Sequence, residues 1–189
     1  TLASFFGKVD YNWQDLVLAS FTIRRDGSSR FGANNRYATF PSFSLGWNVT
    51  NEPFMQNRPD WLSNLKVRVS WGKNGNDNIG DFTYAAWTAS PYNTVWGRGE
   101  NVVNGVQAGA LSNPDLKWET RATWNLGADL GLWNNRLVLT AEYYYSKTTD
   151  MLYAYDVPVP PFAYDKLLAN LGSMSNRGLE IGFSITPVQ

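Results

Sequence analysis

Alternation of apolar and polar side chains with a period of two constrains this chain more than any other feature. In residues 136–146, Leu137, Leu139, Ala141, Tyr143 and Tyr145 fall on one face, and Val138, Thr140, Glu142, Tyr144 and Ser146 on the other. A two-residue period means a strand. Six further stretches repeat the pattern: residues 2–13, 16–25, 41–50, 65–73, 118–130 and 177–186. Strands of about ten residues, tilted by roughly 45°, cross the apolar band of a membrane. The lengths therefore predict more than an all-β fold. They predict an antiparallel transmembrane β-barrel segment.

Composition agrees where it bears on this point. Aromatics make up 15% of the 189 residues, with nine Trp and ten Tyr, and such amphipathic rings collect at membrane interfaces. The negative mean hydropathy does not count against a membrane, because barrel strands turn only alternate residues to lipid. No apolar run reaches the roughly 18 residues that a membrane-spanning helix needs. Lys+Arg and Asp+Glu balance at 16 each with no basic tract, which argues against a nucleic-acid partner. There is no Cys and no His, so thiolate or imidazole metal sites, cysteine nucleophiles and the commonest general base are excluded. No catalytic residue, metal ligand or cofactor site is expected.

The connections alternate in length. Gln14-Asp15 is a tight turn, residues 26–40 a long loop, and residues 51–64 compact, with a short helical turn expected near 59–62. Residues 74–117 form the longest connection, Trp133-Asn134-Asn135-Arg136 a short turn, and 154–176 a long loop around Val157-Pro158-Val159-Pro160-Pro161. The strand that opens at residue 136 is expected to run on as far as Tyr153. Tight periplasmic turns and large extracellular loops mark outer-membrane barrels. Charge follows the same division. Lys8, Asp10, Arg24, Lys66, Arg68, Glu119, Arg121, Asp129, Glu142 and Glu180 share the polar face, and across the central span the apolar face has none. A Lys or Arg facing lipid at mid-bilayer would cost about 2–4 kcal/mol. The outward series ends in a base on three rising strands, at Arg25, Lys73 and Lys147. Two readings stay open: bases at the extracellular rim meeting lipid phosphates, or ordinary solvated strand ends.

Three stretches carry a family pattern. The first is Arg25-Asp26-Gly27-Ser28-Ser29-Arg30-Phe31-Gly32, continued by Asn34-Asn35-Arg36-Tyr37, Phe40-Pro41-Ser42 and Gly46-Trp47. The second is Leu65-Lys66-Val67-Arg68-Val69-Ser70-Trp71-Gly72-Lys73-Asn74-Gly75-Asn76, and the third Asn113-Pro114-Asp115-Leu116-Lys117-Trp118-Glu119. With Ser4-Phe5-Phe6-Gly7-Lys8-Val9-Asp10-Tyr11-Asn12 and Asn176-Arg177-Gly178-Leu179-Glu180, they resemble the SusC/RagA family of TonB-dependent outer-membrane transporters over essentially the whole chain. The resemblance implies a barrel of about 22 strands, with an N-terminal plug, in the outer membrane of a Gram-negative, Bacteroidetes-like bacterium. It implies import of oligosaccharides or peptides with energy from TonB and a SusD-like surface lipoprotein over the mouth. Residues 1–189 would be part of the C-terminal half of that barrel, without signal peptide, plug, TonB box or final strands.

Candidate contact residues lie in the long loops. Trp87, Tyr92, Trp96 and Arg98, with Phe82 and Tyr84, fall in the longest; Tyr155, Phe162 and Tyr164 surround the prolines. Aromatic faces stack on sugar rings, so these residues are candidates for touching substrate or lipoprotein; the competing reading packs the loops on themselves. Lys66, Arg68, Glu119, Arg121 and Glu142 are expected to face the lumen, lining the substrate route or pairing across strands. Glu119 and Glu142 lie on neighbouring strands, where an approach would suggest a glycosidase pair; Arg121 and Lys66 nearby would keep both ionised. Asp26-Gly27-Ser28-Ser29 and Asn74-Gly75-Asn76-Asp77 read as turns rather than anion or calcium sites, with Asp26 pairing to a nearby Arg. Two rival readings remain: a secreted β-sandwich that binds sugars through its Trp residues, and a passive porin or adhesin barrel with neither plug nor TonB.

Overall fold

The computed structural model describes residues 1–81, 83–85, 88, 89, 93–96, 101–104, 107, 108, 111–160 and 165–186. Each alternating stretch is a strand: β1 (Leu2–Trp13), β2 (Val17–Ser28), β3 (Tyr37–Asn48) and β4 (Leu62–Asn76) come first. Four short strands follow, β5 (Thr88–Ala89), β6 (Asn93–Trp96), β7 (Asn101–Asn104) and β8 (Gln107–Ala108). The chain continues with β9 (Glu119–Leu132), β10 (Leu137–Thr149), β11 (Leu152–Asp156), β12 (Lys166–Asn170) and β13 (Ser173–Ile185). The seven long strands make one antiparallel sheet in the order β1-β2-β3-β4-β9-β10-β13. The short ones form separate two-stranded ladders, β5-β8, β6-β7 and β11-β12.

Register keeps the two faces apart. One row of directly paired residues reads Phe21, Phe43, Trp71, Trp124, Tyr145 and Arg177 across six strands. Its polar neighbour row reads Ser44, Ser70 and Asn125. A slip by one residue would exchange the two faces of a strand and set polar side chains among the aromatics, so the alternation itself fixes the pairing. Within the aromatic row, Phe43 and Trp124 meet edge-to-face at 5.7 Å, and Trp71 lies 6.1 Å from Trp124.

The apolar face is left uncovered. Phe5, Leu126, Leu179, Ile181 and Phe183 are all more than half exposed. Burying one such side chain contributes about 1.5–3 kcal/mol, a gain that the sheet does not realise among the described residues. No second sheet packs on that face among the described residues. The β-sandwich reading fails on this point.

Turn chemistry fits the short connections. Gln14 and Asp15 both adopt positive φ, and Asn12 Nδ2 donates to Asp15 Oδ1 at 2.6 Å. Trp133, Asn134 and Asn135 are left-handed in succession, a conformation that Asn tolerates better than most residues. Other expectations are corrected. Helical turns occur at Val49–Asn51 and Pro53–Met55, earlier than residues 59–62, where a single Leu62 N–H to Pro59 carbonyl bond closes a turn. β10 stops at Thr149 because Asp150 has φ of 57°, and β11 starts afresh. The loop at 154–176 is largely a hairpin, with Tyr155 opposite Leu167.

Candidate functional site

The polar face carries an ion-pair network built by register. Arg68 stands opposite Gly127, whose missing side chain leaves room for the guanidinium to cross β9. Its Nε donates to Asp129 Oδ2 at 2.8 Å and its Nη2 to Asp129 Oδ1 at 3.2 Å, and Nη2 also reaches Glu142 Oε2 at 3.4 Å. The fork is a bidentate carboxylate clasp extended to a second strand. Arg121 Nε donates to Ser146 Oγ at 2.6 Å, and the Thr123 hydroxyl donates to the same oxygen at 3.1 Å. Lys66 lies over Gly46 and lines a shallow cavity with Arg68, Ser70 and Asp10. Lys66, Arg68, Glu119, Arg121 and Glu142 thus share the face opposite the aromatic row.

The carboxylates Glu119 and Glu142 do not approach each other. Glu142 pairs with Gly127, eight residues along β9 from Glu119, a separation of about 27 Å at strand rise. Glu119 instead accepts from Asn76 Nδ2 at 3.3 Å and from the Leu152 backbone N–H at 3.1 Å. The expected attendants differ too, since Arg68 rather than Lys66 or Arg121 holds Glu142.

The family-pattern residues assemble at the long-loop end of the sheet. Phe31 and Leu116 are fully buried there with Phe40, Ile79 and Trp118, flanked by Ala38, Leu152 and Leu168. Trp118 lies tilted at 5.3 Å from Phe31 and edge-to-face at 5.5 Å from Phe40, and its indole N–H donates to the Arg36 carbonyl at 3.2 Å. Phe40 covers Gly75, where any side chain would run into the ring. Polar contacts join the same segments. Ser28 Oγ donates to Asp77 Oδ2 at 2.8 Å, Arg30 Nη1 to the Asp77 carbonyl at 3.2 Å, and Asn35 Nδ2 to the Asp115 carbonyl at 3.1 Å. Asn170 accepts from the Lys117 N–H and donates to the carbonyls of Lys117 and Asp150. These contacts fasten the β11-β12 hairpin to residues 113–118.

Asp26–Ser28 and Asn74–Asn76 extend strands instead of forming turns, because β4 keeps pairing with β9 as far as Asn76 and Glu119. Asp26 does pair with a neighbouring arginine, Arg24, at 2.8 Å. Leu116 belongs to the third family stretch, whereas Asn170 carries no signal in the sequence. An Asn at a predicted loop boundary carries no periodic signal, and their partners lie far away in the chain. Among the loop candidates, Trp87, Tyr92, Arg98, Phe162, Tyr164 and Phe82 lie outside the described residues. Trp96 ends β6 opposite Asn101, and Tyr155 is half-buried in β11.

Residues 1–186 match the profile of a family described as "TonB dependent receptor-like, beta-barrel". The chain belongs to that family. Its sheet is therefore an arc of an outer-membrane barrel, with an aromatic face and a charged face. The barrel arc is 37% identical over its whole length to TonB-dependent receptor SusC of Bacteroides thetaiotaomicron, covering 19% of that protein. It is 38% identical to TonB-dependent receptor P39 of Formosa agariphila, again over all of this chain and 17% of the relative. The RagAB peptide transporter superposes over the whole chain with a TM-score of 0.85 and 32% identity, covering 20% of that structure. The siderophore receptor PirA of Pseudomonas aeruginosa shares the fold alone, with a TM-score of 0.60 at 14% identity over 95% of this chain and 30% of its own. The chain spans about a fifth of the length of the SusC and RagAB relatives.

Proposed function

We propose that this chain forms wall and extracellular loops of an outer-membrane importer that takes up oligosaccharides or peptides. TonB supplies the energy through a plug outside residues 1–189, and a SusD-like surface lipoprotein covers the mouth. Signal peptide, TonB box and the remaining strands belong to the same longer protein in this reading. The observation that carries it is the whole-chain likeness to SusC and to the RagAB peptide transporter, joined to a sheet with one lipid-compatible and one charged face. The lumen charges Lys66, Arg68, Glu119, Arg121 and Glu142 line the route. Trp87, Tyr92, Trp96, Arg98, Tyr155, Phe162 and Tyr164 are the loop positions proposed to meet substrate or lipoprotein.

The test uses the full-length protein in its own membrane. Uptake of a labelled oligosaccharide or peptide pool should collapse when TonB is depleted, to the level seen when the importer's gene is deleted. Uptake that persists without TonB would favour a passive pore. Recovery of the parent protein from the aqueous fraction without detergent would overturn the membrane reading as well.

A further inference from the structure

Charge on the lipid-facing side of the sheet is of one sign. Taken strand by strand, the positions sharing the aromatic face include Arg25, Lys73, Lys147 and Arg177 and not one Asp or Glu. The lumen face carries both signs, with Lys8, Arg24, Lys66, Arg68 and Arg121 beside Asp10, Asp26, Glu119, Asp129, Glu142 and Glu180. Ordinary solvated strand ends would show both signs on both faces. None of the four outward bases forms an ion pair among the described residues.

The positions of these bases also step in one direction across the sheet. Against the row Phe21-Phe43-Trp71-Trp124-Tyr145-Arg177, Arg25 stands four residues higher on β2, and Lys73 and Lys147 two residues higher on β4 and β10. Arg177 on β13 stands in the row itself. The short turns descend in the same direction. The β1-β2 turn closes at Trp13–Val17, whose row passes through Trp47, Val67, Ala128 and Ala141. The β9-β10 turn closes at Leu132–Leu137, four residues lower. Bases and turns therefore slope together across the sheet, as they must if both follow the membrane plane through tilted strands. Eight residues separate turn and base on β2 and ten on β10, about 27–34 Å of strand. At a tilt near 45° this is about 19–24 Å of height, close to the apolar band of such barrels.

We propose that Arg25, Lys73, Lys147 and Arg177 form a belt that binds the phosphates of anionic lipid in the outer leaflet. This inference rests on the membrane reading above. Lys147 and Arg177 are its tightest pair. Lys147 faces Ser175 and Arg177 faces Tyr145, so the two bases are diagonal neighbours about 7–8 Å apart. A phosphate fits between them, with the guanidinium fork offering two parallel donors. Lys73 lies two strands away, across Ala122 from Lys147. Arg25 is held by the Tyr37 ring, 5.3 Å from its guanidinium carbon, and Gly27 leaves space for that ring. Below the belt the aromatic and aliphatic rows meet acyl chains, so one lipid molecule satisfies both.

The test is native mass spectrometry of the full-length protein extracted from outer membranes and exposed to a phosphorylated glycolipid or to the same lipid after phosphatase treatment. Wild-type protein should retain the phosphorylated form preferentially. Retention should fall about fivefold for each base removed, so Lys147→Gln with Arg177→Gln should lose most of it, while Lys147→Arg with Arg177→Lys keeps it. Heat-dependent mobility in gels checks that each variant remains a folded barrel. Equal retention of both lipids, or undiminished retention in the neutral double variant, would overturn the proposal. Displacement of the lipid by millimolar inorganic phosphate would assign the belt to free anions and overturn its lipid source. A parent protein that resides in the outer membrane and imports normally, yet shows no phosphate dependence, would sink this inference alone.

Discussion

At the scale of single residues, what matters is which face a side chain occupies. Leu126 and Asn125 are adjacent, yet Leu126 sits in the middle of the aromatic and aliphatic face, 55% exposed, while Asn125 lies on the charged face opposite Ser70. Leu126→Arg in the full-length protein should therefore cost about 2–4 kcal/mol in denaturant unfolding from lipid vesicles. Asn125→Arg should cost under about 1 kcal/mol, because a wet wall already carrying Arg68 and Arg121 hydrates another cation. Equal costs at the two positions would contradict the assignment of faces. The same logic explains why the Arg68 network adds little stability of its own: its partners are partly exposed, where ion pairs contribute about 0–1 kcal/mol.

Among the elements, the long connections are organised by the small apolar cluster and by Asn170. Trp118 is nearly buried between Phe31 and Phe40, and Asn170 is the side chain that ties the β11-β12 hairpin to Lys117. Trp118→Ala should destabilise the loop base by about 3–5 kcal/mol. Asn170→Ala should cost about 1–3 kcal/mol by leaving backbone groups unpaired. Both effects belong to the loops and not to the wall. Protease added to intact cells should cut the long loops faster in each variant, most of all in Trp118→Ala, while heat-dependent mobility of the barrel is unchanged. Loss of barrel mobility together with loop protection would show that the cluster holds the wall instead.

For the whole molecule, closure decides stability. β1 and β13 are the outermost strands of the sheet, and their outer backbone groups have no partner strand among the described residues. In a bilayer such edges are costly, and in water they invite aggregation. The isolated 189-residue chain should therefore show the same gel mobility with and without heating, whereas the full-length protein shifts. A heat-dependent shift for the isolated chain would mean that it closes its edges by self-association.

The sequence by itself determined the seven long strands, their two faces and the tight turns, but not a strict alternation of connection lengths, since β2 and β3 run on to leave residues 29–36 between them against the longer 49–61 between β3 and β4. Each follows from a local two-residue period or from turn chemistry, as at Gln14-Asp15 and Trp133-Asn134-Asn135. It also placed Lys66, Arg68, Glu119, Arg121 and Glu142 on one face, since parity along a strand needs no knowledge of its neighbours. Only the tertiary structure decided who meets whom. Register separated Glu119 from Glu142, put Gly127 beneath Arg68, and brought Phe31, Phe40, Leu116 and Trp118 together from distant segments. Register also fixed the offsets of Arg25, Lys73, Lys147 and Arg177 from the shared aromatic row, because such offsets depend on the pairing between strands, which no single strand contains.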